Sequence, residues 1–149
     1  MEQFAPENIR NLVLLSHNGA GKTSLSEAAL FAAGAITRLG KTADGTTTSD
    51  YDPIEVKHKI SINLSVLPCQ WKGKKLNIID TPGYSDFVAE VKAGIRVSEG
   101  AIVTVCAASG VEVGTAQVWA YGEEAGLASL IFVNKMAREN ADFLRPLAA

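Results

Sequence analysis

Two residues that can hold phosphate and a metal ion, Lys22 and Thr23, end a glycine-containing loop near the start of the chain. The loop has the form xxxxGK[ST], in which backbone N–H groups and the start of a helix surround a phosphate group. In such a loop the lysine neutralises the β- and γ-phosphates, and the threonine hydroxyl binds Mg²⁺. The sequence therefore predicts a phosphate-binding loop made of Ser16, His17, Asn18, Gly19, Ala20, Gly21, Lys22, Thr23 and Ser24.

A second polar group follows the apolar run at residues 76–79. Asp80 ends this run, so its carboxylate is expected at the carboxyl edge of a sheet, where it could hold Mg²⁺ through water. Gly83 has no side chain and could turn its N–H toward a γ-phosphate. The same residues are also ordinary turn formers, which leaves a strand-ending turn as the alternative. The nucleotide-binding prediction here covers Asp80, Thr81, Pro82, Gly83 and Tyr84.

A third group, Asn134, Lys135 and Ala137, follows the apolar run at residues 130–133. All three polar groups therefore come directly after strand-like runs. The carboxyl ends of parallel strands meet at one edge of a sheet, where ligands of open α/β folds bind. Their order and spacing predict one crevice that holds a guanine nucleotide.

Hydrophobic periodicity predicts strands and helices in alternation along the chain. Such alternation favours a mostly parallel, doubly wound α/β sheet with helices on both faces. Gly73 indicates a hairpin, which makes the strand before it an antiparallel edge strand. The expected strands are 10–15, 60–67, 74–80, 101–106 and 130–133, and the expected helices are 22–33, 85–98 and 113–125.

The segment 34–59 has little hydrophobic periodicity and lies between the phosphate loop and Asp80. It is too long to be an idle connection within a compact domain. This position favours a segment that senses the bound nucleotide, with Ser61 beyond it offering its hydroxyl to Mg²⁺. A disordered insertion is the alternative.

Composition limits the class of protein. With 149 residues and 47% hydrophobic residues, the chain fits one compact domain with a sizeable core. Its formal charge of −2 gives no electrostatic footprint for sequence-specific nucleic acid binding. No apolar run has the length of a membrane span, so we expect no membrane partner and a cytoplasmic location. Cys69 and Cys106 lack the spacing of a metal site.

These motifs resemble the GTP-binding domain of elongation factor G, a translational GTPase, over nearly the whole chain. Residues 44–47, Asp50, residues 60–62 and residues 138–143 add to the likeness. Asn18 and Tyr84 favour the paralogous elongation factor G-like branch. The resemblance implies a P-loop NTPase G-domain that binds GTP or GDP with Mg²⁺, hydrolyses GTP and acts on the ribosome through the full-length protein. Residues 1–149 would be such a domain, incomplete at its C-terminal end.

The resemblance also implies a role for each site residue. Lys22 and Gly83 would hold the transferred phosphate and Tyr84 would take the third catalytic position. Asn134 and Lys135 would frame the base. The family usually has histidine where Tyr84 stands, so slow hydrolysis is expected. Three residues would hold the metal directly or through water: Thr23, Ser61 and Asp80.

Ala137 stands where the family has an aspartate that accepts two hydrogen bonds from guanine. Losing that acceptor should cost about 2–4 kcal/mol of binding free energy and weaken the preference for guanine. Two other functions remain open. One is a nucleotide-binding switch or decoy with negligible turnover, which Tyr84 and Ala137 together permit. The other is an unrelated P-loop ATPase or kinase, which the Asn134-Lys135 pair opposes.

Overall fold

A computed structural model describes residues 3–147 as one five-stranded sheet in the order β2-β3-β1-β4-β5. β2 is antiparallel to β3, and the pairs β1–β3, β1–β4 and β4–β5 are parallel. The sheet is therefore the mostly parallel α/β sheet with one antiparallel edge strand that the sequence predicts. The strands are β1 Ile9–Leu15, β2 Ser65–Trp71, β3 Lys74–Asp80, β4 Gly100–Cys106 and β5 Ala128–Asn134.

Four α-helices connect the strands, and they are α1 Lys22–Ala32, α2 Pro53–His58, α3 Val88–Arg96 and α4 Val113–Glu124. Single 3-10 turns lie at Pro6–Asn8, Thr42–Asp44, Ser85–Phe87 and Arg145–Leu147. None of the helices among residues 3–147 is long and apolar enough to cross a membrane.

The core has two halves because successive side chains of a strand point to opposite faces of the sheet. On β1, Val13 and Leu15 enter a cluster with Val91 of α3 and Val118 of α4. Leu14 lies on the other face, in a cluster that includes Leu30 of α1. Helices thus cover both faces, and the loops at the carboxyl ends of β1, β3 and β5 lie along one edge.

The strand expected at residues 60–67 is wrong in its position. β2 begins at Ser65, because carboxylates and not a neighbouring strand bind the backbone before it. Glu55 accepts hydrogen bonds from the N–H groups of Ile62 and Asn63, and Glu90 accepts one from Leu64. The strand then continues to Trp71, since it pairs through the hairpin as far as Lys74.

The helix expected at residues 85–98 is also shorter than its pattern indicates. Its first turn is a 3-10 turn, Ser85–Phe87, and α3 proper is Val88–Arg96.

The segment 34–59 is folded, which contradicts the alternative of a disordered insertion. It contains the 3-10 turn Thr42–Asp44 and α2, whose N-terminus has a capping box formed by Asp52 and Glu55.

β5 is an edge strand with apolar residues at its surface. Leu130 is 62% exposed, and Ile131 and Phe132 are each 38% exposed. On its paired side, β5 forms a full parallel ladder with β4 from Ala128 to Asn134.

Candidate nucleotide site

The phosphate loop begins where β1 ends and closes at the start of α1. Gly21 precedes α1 with a φ of 101°, a left-handed conformation that favours glycine. Lys22 is buried, and its Nζ donates to the carbonyls of Ser16 and His17, each 3.2 Å away. Burial lowers the pKa of Lys22 to about 8, against the opposing effect of Asp80 and Asp50. The ammonium thus lies inside the loop, at the start of a helix, where an anion binds most readily.

A cavity of about 290 Å³ opens above this loop. Nine of the sequence-predicted residues line it: Asn18, Gly19, Gly21, Lys22, Thr23, Ser24, Ser61, Gly83 and Lys135. Three others line it that were not among the predicted site residues: Thr42, Lys59 and Ile60. The cavity therefore joins the phosphate loop, the end of the segment after α2 and the turn after β3.

Beside the phosphate loop lies a group of buried oxygens. Oγ of Ser61 donates to Oδ1 of Asp50 at 2.7 Å and lies 3.4 Å from Oγ1 of Thr23. Asp80 is buried, and its Oδ2 accepts from Ser26 at 3.4 Å, whereas its Oδ1 has no hydrogen-bond partner among the described residues. Buried polar atoms are rarely left without a partner, so this oxygen is a marked exception.

The electrostatics of the two aspartates reflect this burial. Desolvation raises the pKa of Asp80 to about 6, although the hydroxyl of Thr23 and the ammonium of Lys22 oppose the rise. Desolvation also raises the pKa of Asp50. A cation placed here would favour the charged form of both carboxylates.

These oxygens fit Mg²⁺, which prefers hard oxygen ligands and keeps several waters when it binds at a phosphate. The described residues contain no group of three or more His, Cys, Asp and Glu side chains that could hold a metal by themselves. The arrangement thus suits an ion that takes part of its coordination from a bound phosphate, with Thr23, Ser61 and Asp80 as the protein side.

The turn after β3 lies directly against the phosphate loop. A Cβ atom added at Gly83 would lie 2.6 Å from Cα of Asn18 and 2.8 Å from Nζ of Lys22. Only glycine fits at that distance. Thr81 points the other way, because its hydroxyl donates to the carbonyl of Leu14 at 2.6 Å, and Pro82 is buried with it. These two residues brace the turn and do not line the cavity.

The third group reaches the loop through two side chains. Nδ2 of Asn134 donates to the carbonyl of Ala20 at 2.9 Å, and Nζ of Lys135 donates to the carbonyl of Gly19. Ala137 is exposed in the turn that follows and does not line the cavity. Asn134 and Lys135 thus join the site, and Ala137 lies outside the cavity as it stands in this structure.

His17 and Tyr84 do not line the cavity either. The His17 ring is buried against α4, with Nδ1 2.7 Å from Oγ1 of Thr115 and Nε2 3.0 Å from Oε1 of Glu112. Burial lowers the pKa of His17 below its usual value, although Glu112 opposes this. The ring is therefore neutral near pH 7, with Nε2–H donating to Glu112 and Thr115 donating to Nδ1. Tyr84 is 41% exposed beside Gly83.

Thr42 and Lys59 are site residues that sequence reasoning missed, and Asp50 was named only as part of the family likeness, without a role in the site. All three come from the segment after α1 and its end, where no periodicity indicates which side chains turn inward. Lys59 was hidden among the charges of Lys57 and His58, a pattern typical of a solvated surface. In the structure, Lys59 follows the short helix α2, which begins after the capping residue Asp52. The capping-box pair Asp52 and Glu55 is the sequence signal that could have indicated this helix.

Comparison with known proteins identifies the family and the fold. The family model described as the elongation factor Tu GTP-binding domain matches residues 7–148. The crystal structure of a protein from Thermus thermophilus superposes with a TM-score of 0.90 at 37% sequence identity. The superposition covers 94% of this chain and 21% of that protein, so this chain spans about a fifth of the length of its structural relative.

Proposed function

Because the chain belongs to the family of the elongation factor Tu GTP-binding domain, the nucleotide-binding domain of translational GTPases, we propose that it binds GTP and GDP with Mg²⁺ and hydrolyses GTP. We propose further that residues 1–149 are this domain of an elongation factor G-like translation factor.

The observation that carries the proposal is that the second and third polar groups both contact the first, the phosphate loop. Asn134 binds the carbonyl of Ala20 from β5, and Gly83 lies against Asn18 from the turn after β3. Both contacts meet the loop in which Lys22 is buried. Motifs that matched by chance would have no reason to meet around one cavity.

The phosphates are the part of the ligand for which the site is best suited. Lys22 and the N–H groups of the loop at the start of α1 supply positive charge to the β- and γ-phosphates. Thr23, Ser61 and Asp80 hold Mg²⁺, which when bound neutralises charge on the phosphates. The Ser61 hydroxyl donates a hydrogen bond to Asp50, which leaves the lone pairs of the serine oxygen available to a cation.

Hydrolysis requires a water molecule in line with the γ-phosphate and groups that stabilise the charge that develops. Lys22 stabilises that charge, and the N–H of Gly83 binds the terminal phosphate. Tyr84 takes the position that orients the water. A phenol is a weaker partner for the attacking water than an imidazole, so turnover is slow.

Asn134 and Lys135 bind the base, from its polar edge and from its face respectively. Ala137 provides no acceptor for the N1 and N2 hydrogens of guanine, which weakens the discrimination between bases. The bound triphosphate orders the segment 34–59 and the turn after Asp80, and hydrolysis releases them. In the full-length protein this switch acts on the ribosome, in the cytoplasm.

A second candidate is a nucleotide-binding switch whose turnover is negligible. Two observations favour it: Tyr84 is partly exposed and outside the cavity, and Ala137 lacks the group that reads guanine. Binding would then be retained while hydrolysis is absent.

The test is a titration with a fluorescent GTP analogue in the presence of Mg²⁺, followed by competition with unlabelled GTP, GDP, ATP and XTP. We expect GTP and GDP to displace the analogue and ATP to displace it less well. Removing Mg²⁺ should weaken binding, and Lys22→Ala should abolish it while a thermal melt verifies that the variant is folded. Displacement by ATP as effective as by GTP would contradict guanine binding.

Phosphate release is then measured under single-turnover conditions, with and without ribosomes. Release that ribosomes accelerate supports the GTPase. Binding without any release, in either condition, supports the second candidate and contradicts the first.

A further inference from the structure

Lys59 occupies a backbone conformation that is costly for a lysine. It ends α2 with a φ of 56° and a ψ of 42°, and its N–H donates to the carbonyl of Glu55. This left-handed region costs a residue with a Cβ about 1–2 kcal/mol relative to glycine, which adopts it freely. Helix α2 would end there more favourably with a glycine, so the geometry of the helix end does not explain why a lysine occupies this position.

Lys59 also lines the candidate site. Lys59, Thr42 and Ser61 all line the cavity of about 290 Å³, on the wall that the chain after α1 forms. Lys22 and Gly83 line the same cavity from the phosphate loop and the turn after β3. The strained position therefore places a lysine on the same cavity as the residues proposed to bind phosphate.

The three lysines of the cavity differ in their partners. The ammonium of Lys22 donates to two carbonyls of the phosphate loop, and that of Lys135 donates to the carbonyl of Gly19. Among residues 3–147, Lys59 has neither an ion pair nor a side-chain hydrogen bond. Of these three cations, it is the one whose donors are uncommitted within the described part of the chain.

We propose that Lys59 binds the terminal phosphate of a nucleoside triphosphate and so makes the site prefer triphosphate over diphosphate. This inference rests on the proposed function, because it requires that a nucleotide occupies the cavity. The γ-phosphate adds a negative charge and further acceptor oxygens that a diphosphate lacks, and a lysine binds phosphate as a point charge. Lys59 directly precedes Ile60 and Ser61, so the same contact ties the end of the 34–59 segment to the triphosphate.

The contribution of Lys59 to triphosphate binding is limited by the exposure of its side chain to solvent. Lys59 is exposed, and salt screens an interaction between an exposed charge and its partner. We therefore expect a contribution of about five- to tenfold in triphosphate affinity at low salt, less than a well-buried hydrogen bond between charged groups provides. It should decrease as the ionic strength rises.

The experiment compares wild type with Lys59→Gln, using calorimetric titration with Mg²⁺ and either a nonhydrolysable GTP analogue or GDP. Lys59→Gln should bind the triphosphate about five- to tenfold more weakly and GDP within about twofold of wild type. Lys57→Gln is the matched control, because Lys57 lies on the same helix, is exposed and does not line the cavity. It should leave both affinities unchanged.

Lys59→Gly distinguishes the effect of losing the positive charge from the effect of the strained backbone conformation. Glycine relieves the left-handed conformation, so this variant should melt no lower than wild type and still lose the triphosphate preference. Lys59→Arg should retain the preference, since it keeps the positive charge. Equal triphosphate affinity in wild type and Lys59→Gln, or an equal loss for GDP and the triphosphate, would overturn the role of Lys59. If wild type bound neither nucleotide, the proposed function itself would fail, and the inference with it.

Discussion

The carboxylate of Glu27 accepts a hydrogen bond from the backbone N–H of Gly40, with Oε2 2.8 Å from the nitrogen. Its other oxygen accepts from the N–H of Thr48 at 2.5 Å. Glu27 lies on α1, one turn beyond the phosphate loop, and is 1% exposed. A single buried side chain thus attaches the segment 34–59 at two points to the helix that begins at the nucleotide site.

Glu27→Ala should destabilise the protein, because it leaves the buried N–H of Gly40 and the partly buried N–H of Thr48 without their acceptor. A fully buried donor without an acceptor costs about 1–3 kcal/mol, and the partly buried N–H of Thr48 costs less, so we expect a loss of about 2–4 kcal/mol in the free energy of unfolding. Denaturant titration measures this loss. Glu123→Ala, at an exposed position of α4, is the control and should change stability by less than about 0.5 kcal/mol. A Glu27→Ala variant as stable as that control would contradict the anchoring role.

Gly83→Ala should weaken nucleotide binding and stability together. The new Cβ would lie 2.6 Å from Cα of Asn18 and must push the turn away from the phosphate loop. Forced displacement of this kind costs about 1–3 kcal/mol. Gly122→Ala is the matched control, since its Cβ would meet Ser129 and Leu15 at ordinary distances of 3.8 and 3.9 Å. Comparable nucleotide affinity in the two variants would show that the turn is not tightly fitted.

Ala137→Asp should tighten the binding of guanine nucleotides and restore discrimination against ATP. A carboxylate there could accept two hydrogen bonds from guanine, worth about 2–4 kcal/mol or about 30- to 1000-fold in affinity. Competition titrations with GTP and ATP measure both quantities. Ala137→Asn adds a side chain of the same shape without the charge, and it should gain much less. No gain in Ala137→Asp would mean that the base does not lie near this turn.

Tyr84→His should accelerate the proposed GTP hydrolysis, because an imidazole orients and polarises the attacking water better than a phenol. We expect about tenfold or more in the single-turnover rate, since a positioned acid–base group contributes up to about 100- to 10,000-fold. Nucleotide affinity should not change. Tyr84→Phe, which removes only the hydroxyl, tests whether the phenol contributes anything. A Tyr84→His rate equal to that of wild type would remove Tyr84 from the catalytic set.

His17 should make stability depend on pH in a defined direction. Its pKa in the folded protein lies below the unfolded value, mainly through burial and also through Lys22 and Lys135, while Glu112 opposes the shift. The unfolded chain therefore binds more protons as pH falls through the usual histidine pKa, and stability that is present above it is lost. Thr115 supplies the remaining hydrogen bond to the ring.

The comparison variant is His17→Gln, which cannot titrate. The advantage in unfolding free energy of wild type over this variant should be largest near about pH 7.5 and shrink toward about pH 5. Denaturant titrations at several pH values measure it. An advantage that grew as pH fell would mean that Glu112 outweighs burial and that the ring is charged in the folded state.

The sequence by itself determined four of the five strands and where their polar ends lie. Apolar runs before Ser16, Asp80 and Asn134 are strong local signals, because strand formation and burial depend on the residues of the run itself. The hairpin at Gly73 is equally local, and β3 has the predicted bounds. The parallel direction of β1, β3, β4 and β5 then followed from the alternation of strands and helices.

Tertiary structure alone decided which side chains of the irregular segments turn inward. The start of β2 depends on carboxylates from Glu55 and Glu90 that bind the backbone of residues 62–64. Such contacts join residues as far apart as 26 positions, so no local pattern predicts them. The same holds for Lys59, whose place on the cavity depends on how α2 packs and ends. Contacts between distant residues fix these positions, and their energies enter only once the chain has folded.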